Sequence, residues 1–239
     1  MPYGVATRSG ECLRELADKP ALLQPRLAGK HIEQPNAHHC AEVGSWLARM
    51  HLCTQAQPLE RRSDRGLDWM LSEGPLQALQ LDGEALELLR ASLAEVAQAQ
   101  AAVLALPRAN LHADLFRDNV LFDGPHLSGV IDFYNACSGP MLYDVAITLN
   151  DWCSTASGSL DLSRARALLA AYASLRPFHP AEAERWPCML RIACLRFWLS
   201  RLIAARQPTA LGVQVKDPDE FRQRLLLRQQ VHLPLPLAL

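Results

Sequence analysis

The chain has 239 residues, of which 49% are hydrophobic, enough for one sizeable core. A net charge of −1 leaves no basic surface for nucleic acid, and charge interrupts the apolar stretches before a membrane span is reached, so neither partner is expected. The start, MPYGVATRSGE, has no charged segment followed by an apolar run, and seven scattered cysteines without a Cys-x-x-Cys pair argue for reduced thiols in a cytoplasmic protein.

The chain opens with short β-like pieces. Tyr3–Ala6 and Glu11–Leu16 flank a turn signal at Arg8-Ser9-Gly10, and Ala21–Gln24 reads as one more strand before Pro25 interrupts it. Asn36 is a good N-cap for a helix through Cys53, with Val43, Leu47 and Met50 on one face. His38-His39 beside Cys40 lacks further ligands at metal spacing and reads as helix surface. A short helix is expected at 66–73 and a longer one from Glu84 to Ala102, marked by Leu86, Leu89, Leu93 and Val96, with Pro107 ending that region. Asn119–Phe122 and Leu127–Asp132 look like a hairpin around Asp123-Gly124-Pro125. Beyond residue 141 the pattern is helical, at about 141–153, 163–174, 181–206 and 217–230. The fold class read from this is α+β, mostly helical, with few and local strands.

One segment carries chemistry. His112-Ala113-Asp114-Leu115-Phe116-Arg117-Asp118-Asn119 has the form H-x-D-x-x-x-x-N, and a hairpin then leads to Val130-Ile131-Asp132-Phe133. This is the layout of the general phosphoryl-transfer template, in which a carboxylate receives the hydroxyl proton and a second carboxylate and an amide suit the oxygen shell of magnesium. His112 is expected to brace the loop. Arg117 could contact a γ-phosphate or pair with Asp118 or Asp123. Asp144 lies in an apolar helical run, Leu142-Tyr143-Asp144-Val145-Ala146, so it should be buried, partnered and holding the catalytic loop.

The stretches HADLFRDNVLFDG and LSGVIDFYNACSGPMLYDVAITLNDWC, with LRFWLSRL at 195–202 and VKDPDEFRQRL at 215–225, resemble the aminoglycoside phosphotransferase and choline kinase superfamily, and within it the homoserine kinases. The resemblance runs over nearly all of the chain. It implies the C-terminal lobe of a protein-kinase-like fold, with residues 30–239 as the helical catalytic lobe and 1–29 as a remnant of N-terminal-lobe strands and hinge. It also implies ATP and magnesium as cofactors. Asp114 matches the base, and Asn119 and Asp132 match the magnesium ligands. Leu22–Leu27 matches the hinge, which puts Leu23 and Gln24 at the adenine.

The implied activity is phosphorylation of the side-chain hydroxyl of L-homoserine, a step of threonine biosynthesis. The alternatives are another small hydroxyl acceptor (choline, a sugar, an aminoglycoside) or a non-catalytic kinase-like fragment. An amino-acid substrate needs an anion for its ammonium and a cation for its carboxylate. Asp151, beside Asn150, is a candidate for the first. Arg196 and Arg201 are candidates for the second, or else structural partners of nearby carboxylates. The family's small lobe carries a phosphate-covering loop and a strand lysine. Here no Gly-rich loop precedes the hinge, Lys19 lies too close to it and Lys30 lies after it. The expectation is therefore weak ATP binding by this chain and self-association through a face left open near the hinge and the helix at 37–53.

Overall fold

The computed structural model describes residues 2–206 and 216–237; Val215 of the 215–225 stretch lies outside them. It is mostly helical α+β, with three separate two-stranded antiparallel sheets among the described residues. The first is a hairpin of β1 (Leu13–Leu16) and β2 (Lys19–Leu22). Its turn is made by Ala17 and Asp18, both left-handed at φ 52° and 59°, the twist a two-residue hairpin turn requires. Two expectations change here. Tyr3–Ala6 is not a strand, although Val5 N–H still reaches the Leu23 carbonyl at 2.9 Å, and the strand expected at Ala21–Gln24 begins earlier and contains Pro20. Pro20 is tolerated because this hairpin is a free edge. Leu13, Leu16 and Leu22 stay exposed on it, as does Leu23 just after it.

Helix α1 (Ala37–Thr54) starts where Asn36 can cap it: the Asn36 side chain accepts from His39 N–H at 3.0 Å, and His39 Nδ1 accepts from Asn36 N–H at 3.2 Å. Helix α2 (Leu67–Ala78) runs past the expected end through Gly74 and Pro75. Leu93 of α3 (Gly83–Leu104) packs against Gly74, so tertiary contact outweighs poor local propensity. Strand β3 (Arg108–Leu111) follows and pairs with β6 (Cys137–Pro140), two strands that were not expected. Between them lies the hairpin β4 (Val120–Asp123) and β5 (His126–Val130), turned at Gly124 with φ 58°.

The remaining helices are α4 (Met141–Trp152), α5 (Leu162–Ala173), α6 (Pro180–Ala204) and α7 (Pro218–Arg228). All twelve residues of α4 are buried, so it is the axis of the core. Trp186, Trp198, Tyr172 and Phe221 are fully buried around it, as is its own last residue, Trp152. Each such side chain contributes about 1.5–3 kcal/mol of hydrophobic stabilisation. Helices α1 and α5 approach so closely that the Leu168 carbonyl lies against Gly44, where a Cβ would collide with it. This helical body holds β3, β6 and the β4–β5 hairpin on one side, and the loop between β3 and β4 is the one that bears the H-x-D motif.

Candidate active site

Strand β3 delivers the chain to His112, which is fully buried. Its Nε2–H donates to the Ile131 carbonyl at 2.9 Å, and its ring packs on Phe133 at 4.7 Å. The side chain thus ties the catalytic loop to the segment that enters Asp132. Ala113 is left-handed (φ 61°), an unfavourable conformation for alanine that needs outside support. Asp144 supplies it: its carboxylate accepts His112 N–H at 2.8 Å and Ala113 N–H at 2.9 Å. His51 Nε2–H, from α1, donates to the same carboxylate at 3.3 Å, and His51 Nδ1 is hydrogen-bonded to the Tyr172 hydroxyl at 2.8 Å. Burial alone would push Asp144 up, but the His51 hydrogen bond, the His51 and His112 charges and the His112 amide together hold it below its ordinary 3.8.

The left-handed step at Ala113 turns Asp114 out of the core. The Asp114 carbonyl accepts Phe116 N–H at 2.8 Å and Asn119 Nδ2 at 2.8 Å, which closes the loop and fixes the Asn119 amide with its Oδ1 left over. Asn119 is also joined to the next segment, because its carbonyl accepts Ile131 N–H at 2.9 Å. Asp132 follows directly, left-handed (φ 61°) and exposed, with its carboxylate held by Tyr134 N–H at 3.4 Å. Asp114, Asn119 and Asp132 are therefore brought together on one side of the loop. The Asp114 carboxyl is raised above the usual carboxylate range, first by burial and further by Asp118 and Asp132, against the opposing pull of Arg196 and His112. Asn135 was not singled out in the sequence, yet its Nδ2 donates to Asp114 Oδ2 at 3.1 Å.

A cleft of about 410 Å³ is lined by Gln24, Pro25, Arg26, Leu27, Lys30, Leu121 and Ile131 among others, and it reaches the triad only through Ile131, the chain neighbour of Asp132. The chain just after Leu27 is stitched to β4 there: Lys30 and Phe122 exchange backbone bonds at 2.9 Å, and Gly29 at φ 106° lies against the Phe122 carbonyl where no side chain would fit. Gln24 lines the cleft. Leu23 does not, and its carbonyl is taken by Val5 N–H.

Other expected site residues are placed differently. Arg117 is not open toward a phosphate: its backbone N–H (2.8 Å), Nε (3.1 Å) and Nη2 (3.3 Å) all donate to Asp151, and Nη1 donates to the Glu33 carbonyl. Asp118 pairs with Lys216 at 3.0 Å instead of with Arg117. Asp151, buried and with both oxygens engaged by Arg117, is not presented to an ammonium group; it is a second brace of the catalytic loop. Asn150 is likewise engaged, by the Leu190 carbonyl and Arg228. Arg201 pairs with Glu220 and the Asp217 carbonyl and lies over Phe221, which is the structural alternative. Arg196 alone of the two arginines reaches the site, with Nη1 at 3.9 Å from Asp114 Oδ1.

Comparison with known proteins accounts for this arrangement. Residues 2–178 match the model of the APH phosphotransferase enzyme family. A homoserine kinase of Pseudomonas aeruginosa (strain UCBPP-PA14) is 64% identical over 239 residues, all of this chain and 76% of that protein. The homoserine kinase of Methylobacillus flagellatus is 43% identical over 94% of this chain and 70% of its own length. Among solved structures, the amicoumacin kinase hAmiN in complex with AMP-PNP, Ca2+ and Ami aligns with a TM-score of 0.65 at 14% identity, covering 96% of this chain and 71% of that one. An aminoglycoside phosphotransferase from Alicyclobacillus acidocaldarius aligns with 0.64 at 18% identity, covering 95% and 74%. With a family model over most of its length and close relatives of which it covers more than two thirds, the chain belongs to the homoserine kinases of the phosphotransferase enzyme family.

Proposed function

We propose that this chain transfers the γ-phosphoryl group of ATP to the side-chain hydroxyl of L-homoserine, with Asp114 as the general base. The observation that carries the reading is the placement of Asp114, on a loop locked by Asp144 and His112, beside Asn119 and near enough to Asp132 to feel its charge. The acceptor hydroxyl would donate to Asp114. Its oxygen bonds to the γ-phosphorus, the bond from that phosphorus to the β–γ bridging oxygen breaks, the proton passes to Asp114, and ADP leaves. Burial raises the basicity of Asp114 above that of a surface carboxylate.

The residues present fit magnesium. Asn119 Oδ1, left over when its Nδ2 is fixed, and the exposed Asp132 carboxylate are hard oxygen donors on adjoining segments. Bound there, the ion would neutralise charge on the phosphates. Asp118 and Asp132 sit close enough to raise Asp114, so neutralising Asp132 also tunes the base. Gln24 and the backbone from Pro25 to Leu27 would receive the adenine. The 64% identity to a homoserine kinase supports homoserine over choline or a sugar as acceptor.

The test is homoserine-dependent ADP release in a coupled assay with magnesium and ATP, with the phosphorylated product identified by phosphorus NMR. Magnesium- and ATP-dependent phosphorylation of homoserine is expected. Homoserine bound but never phosphorylated at any nucleotide concentration would overturn the proposal.

A further inference from the structure

Beside Asp114, the Tyr143 hydroxyl and His112 Nδ1 are buried without a hydrogen-bond partner among the described residues, and the buried Arg196 makes no hydrogen bond there either; two of these three can bind an anion. The first is the guanidinium of Arg196, in the middle of α6 and only 3% exposed. Its nearest acid is Asp114 at 3.9 Å, too far for a hydrogen bond, and it rests on the Phe197 ring at 3.8 Å. The second is the Tyr143 hydroxyl on α4, with the residue 7% exposed. They lie on α4 and α6, which pack on each other, near enough that Arg196 would favour an anion at the Tyr143 hydroxyl, and the Arg65 cation acts on Arg196 as well.

Other buried arginines of this protein are not left this way. Arg176 is bonded to Glu182 at 2.5 Å, and Arg228 is bonded to Asn150, Gly158 and Ser154 at 2.7–2.9 Å. The arginines of a larger cleft on another face are also paired: Arg117 with Asp151, Arg164 with Asp161, and Arg224 with Glu220. A buried cation with donors to spare, next to a buried hydroxyl with none of its bonds made, is costly unless a ligand completes it. A cation and a hydroxyl donor side by side suit an anion.

Its location says which anion. The nucleotide cleft is bounded by the hinge and by Leu121 and Ile131. Two of the groups that act on Arg196, Tyr143 on α4 and Cys137 on β6, instead line a separate cavity of about 420 Å³ with Ser63, Leu67 and Leu111. An anion held by Arg196 and Tyr143 would lie toward that cavity and not toward the hinge cleft, on the side open to an acceptor. Resting on the homoserine kinase reading, we propose that Arg196 and Tyr143 form the receptor for the α-carboxylate of the acceptor. Clamped there, homoserine presents its hydroxyl to Asp114, while serine, one methylene shorter, falls short of it.

The test compares L-homoserine with aminopropanol, which is homoserine without its carboxylate, by titration calorimetry in the presence of magnesium and ADP. The wild-type chain should prefer homoserine. A hydrogen bond to a charged group is worth roughly tenfold to a hundredfold in affinity, so Arg196→Met should lower the homoserine-to-aminopropanol affinity ratio by about a hundredfold and Tyr143→Phe by about tenfold. Equal weakening of both ligands by Arg196→Met would overturn the proposal and make Arg196 a support for Asp114 or a phosphate contact. Should Arg196→Met not fold, Tyr143→Phe decides alone, and an unchanged ratio refutes the receptor. A wild-type chain that binds aminopropanol as well as homoserine also refutes it while leaving the kinase reading intact; binding of neither refutes both.

Discussion

Replacing Asp144 by alanine should damage the fold and the catalytic loop together. The carboxylate is fully buried and accepts three hydrogen bonds, from His112 N–H, Ala113 N–H and His51 Nε2–H. Alanine leaves all three donors in a dry interior, at about 1–3 kcal/mol each if none finds water. These losses are not additive, and breaking a buried ionic cluster by removing one member typically costs about 3–5 kcal/mol in total. Set against a total stability of about 5–15 kcal/mol, that is a large share. Urea denaturation followed by circular dichroism measures it. We expect a midpoint shift equivalent to about 3–5 kcal/mol for Asp144→Ala and a smaller one for Asp144→Asn, whose amide keeps one acceptor. The pH dependence has a definite sign. Because Asp144 is held below its ordinary 3.8, its stabilisation is present above that value and is lost as pH falls through it toward the depressed value. The acid-unfolding limb of the wild type should therefore flatten in Asp144→Ala. A loss under about 1 kcal/mol with an unchanged acid limb would show that the network is not what holds the loop.

Asp114→Asn should lower kcat by about a hundredfold or more, as expected for loss of a general base. Since burial raises Asp114 above its ordinary 3.8, the acid limb of kcat/KM in the wild type should lie above that value, and a limb at or below it would remove Asp114 from the role. Asp132→Ala should abolish the dependence of nucleotide affinity on magnesium, checked by titration with and without EDTA. Gly44→Ala should destabilise the fold by about 1–3 kcal/mol, since its Cβ would force α1 away from the Leu168 carbonyl, with kcat per folded molecule retained.

The helices were legible because their signals are local. Asn36 announces α1, and the apolar spacing of α4 through α7 places their ends within a residue or two of those observed. The H-x-D-x-x-x-x-N spacing brought Asp114 and Asn119 to one loop in the same way. Buried Asp144 followed from a charge in an apolar run. What stayed hidden depends on distant pairing. Strand β6 is Cys-Ser-Gly-Pro, with none of the β-branched or aromatic residues that mark strands, and it exists because Arg108–Leu111 lies beside it. The Arg117–Asp151 pair joins residues 34 positions apart, so the sequence offers Arg117 only a phosphate or the nearby Asp118 and Asp123 as partners, and leaves Asp151 available. Asn135 carries no spacing signal at all; only the turn after Asp132 brings its amide to Asp114.

The column from Tyr172 through His51 and Asp144 to the loop involves α1, α4 and α5, whereas Arg196 and Arg65 lie on α6 and the segment before α2. Helix α4 belongs to both sides, because Tyr143, which faces the Arg196 side, directly precedes Asp144, which braces the H-x-D loop. A substitution that shifts or rotates α4 would therefore displace the loop and the surroundings of Arg196 together, so the two cannot be altered independently through that helix.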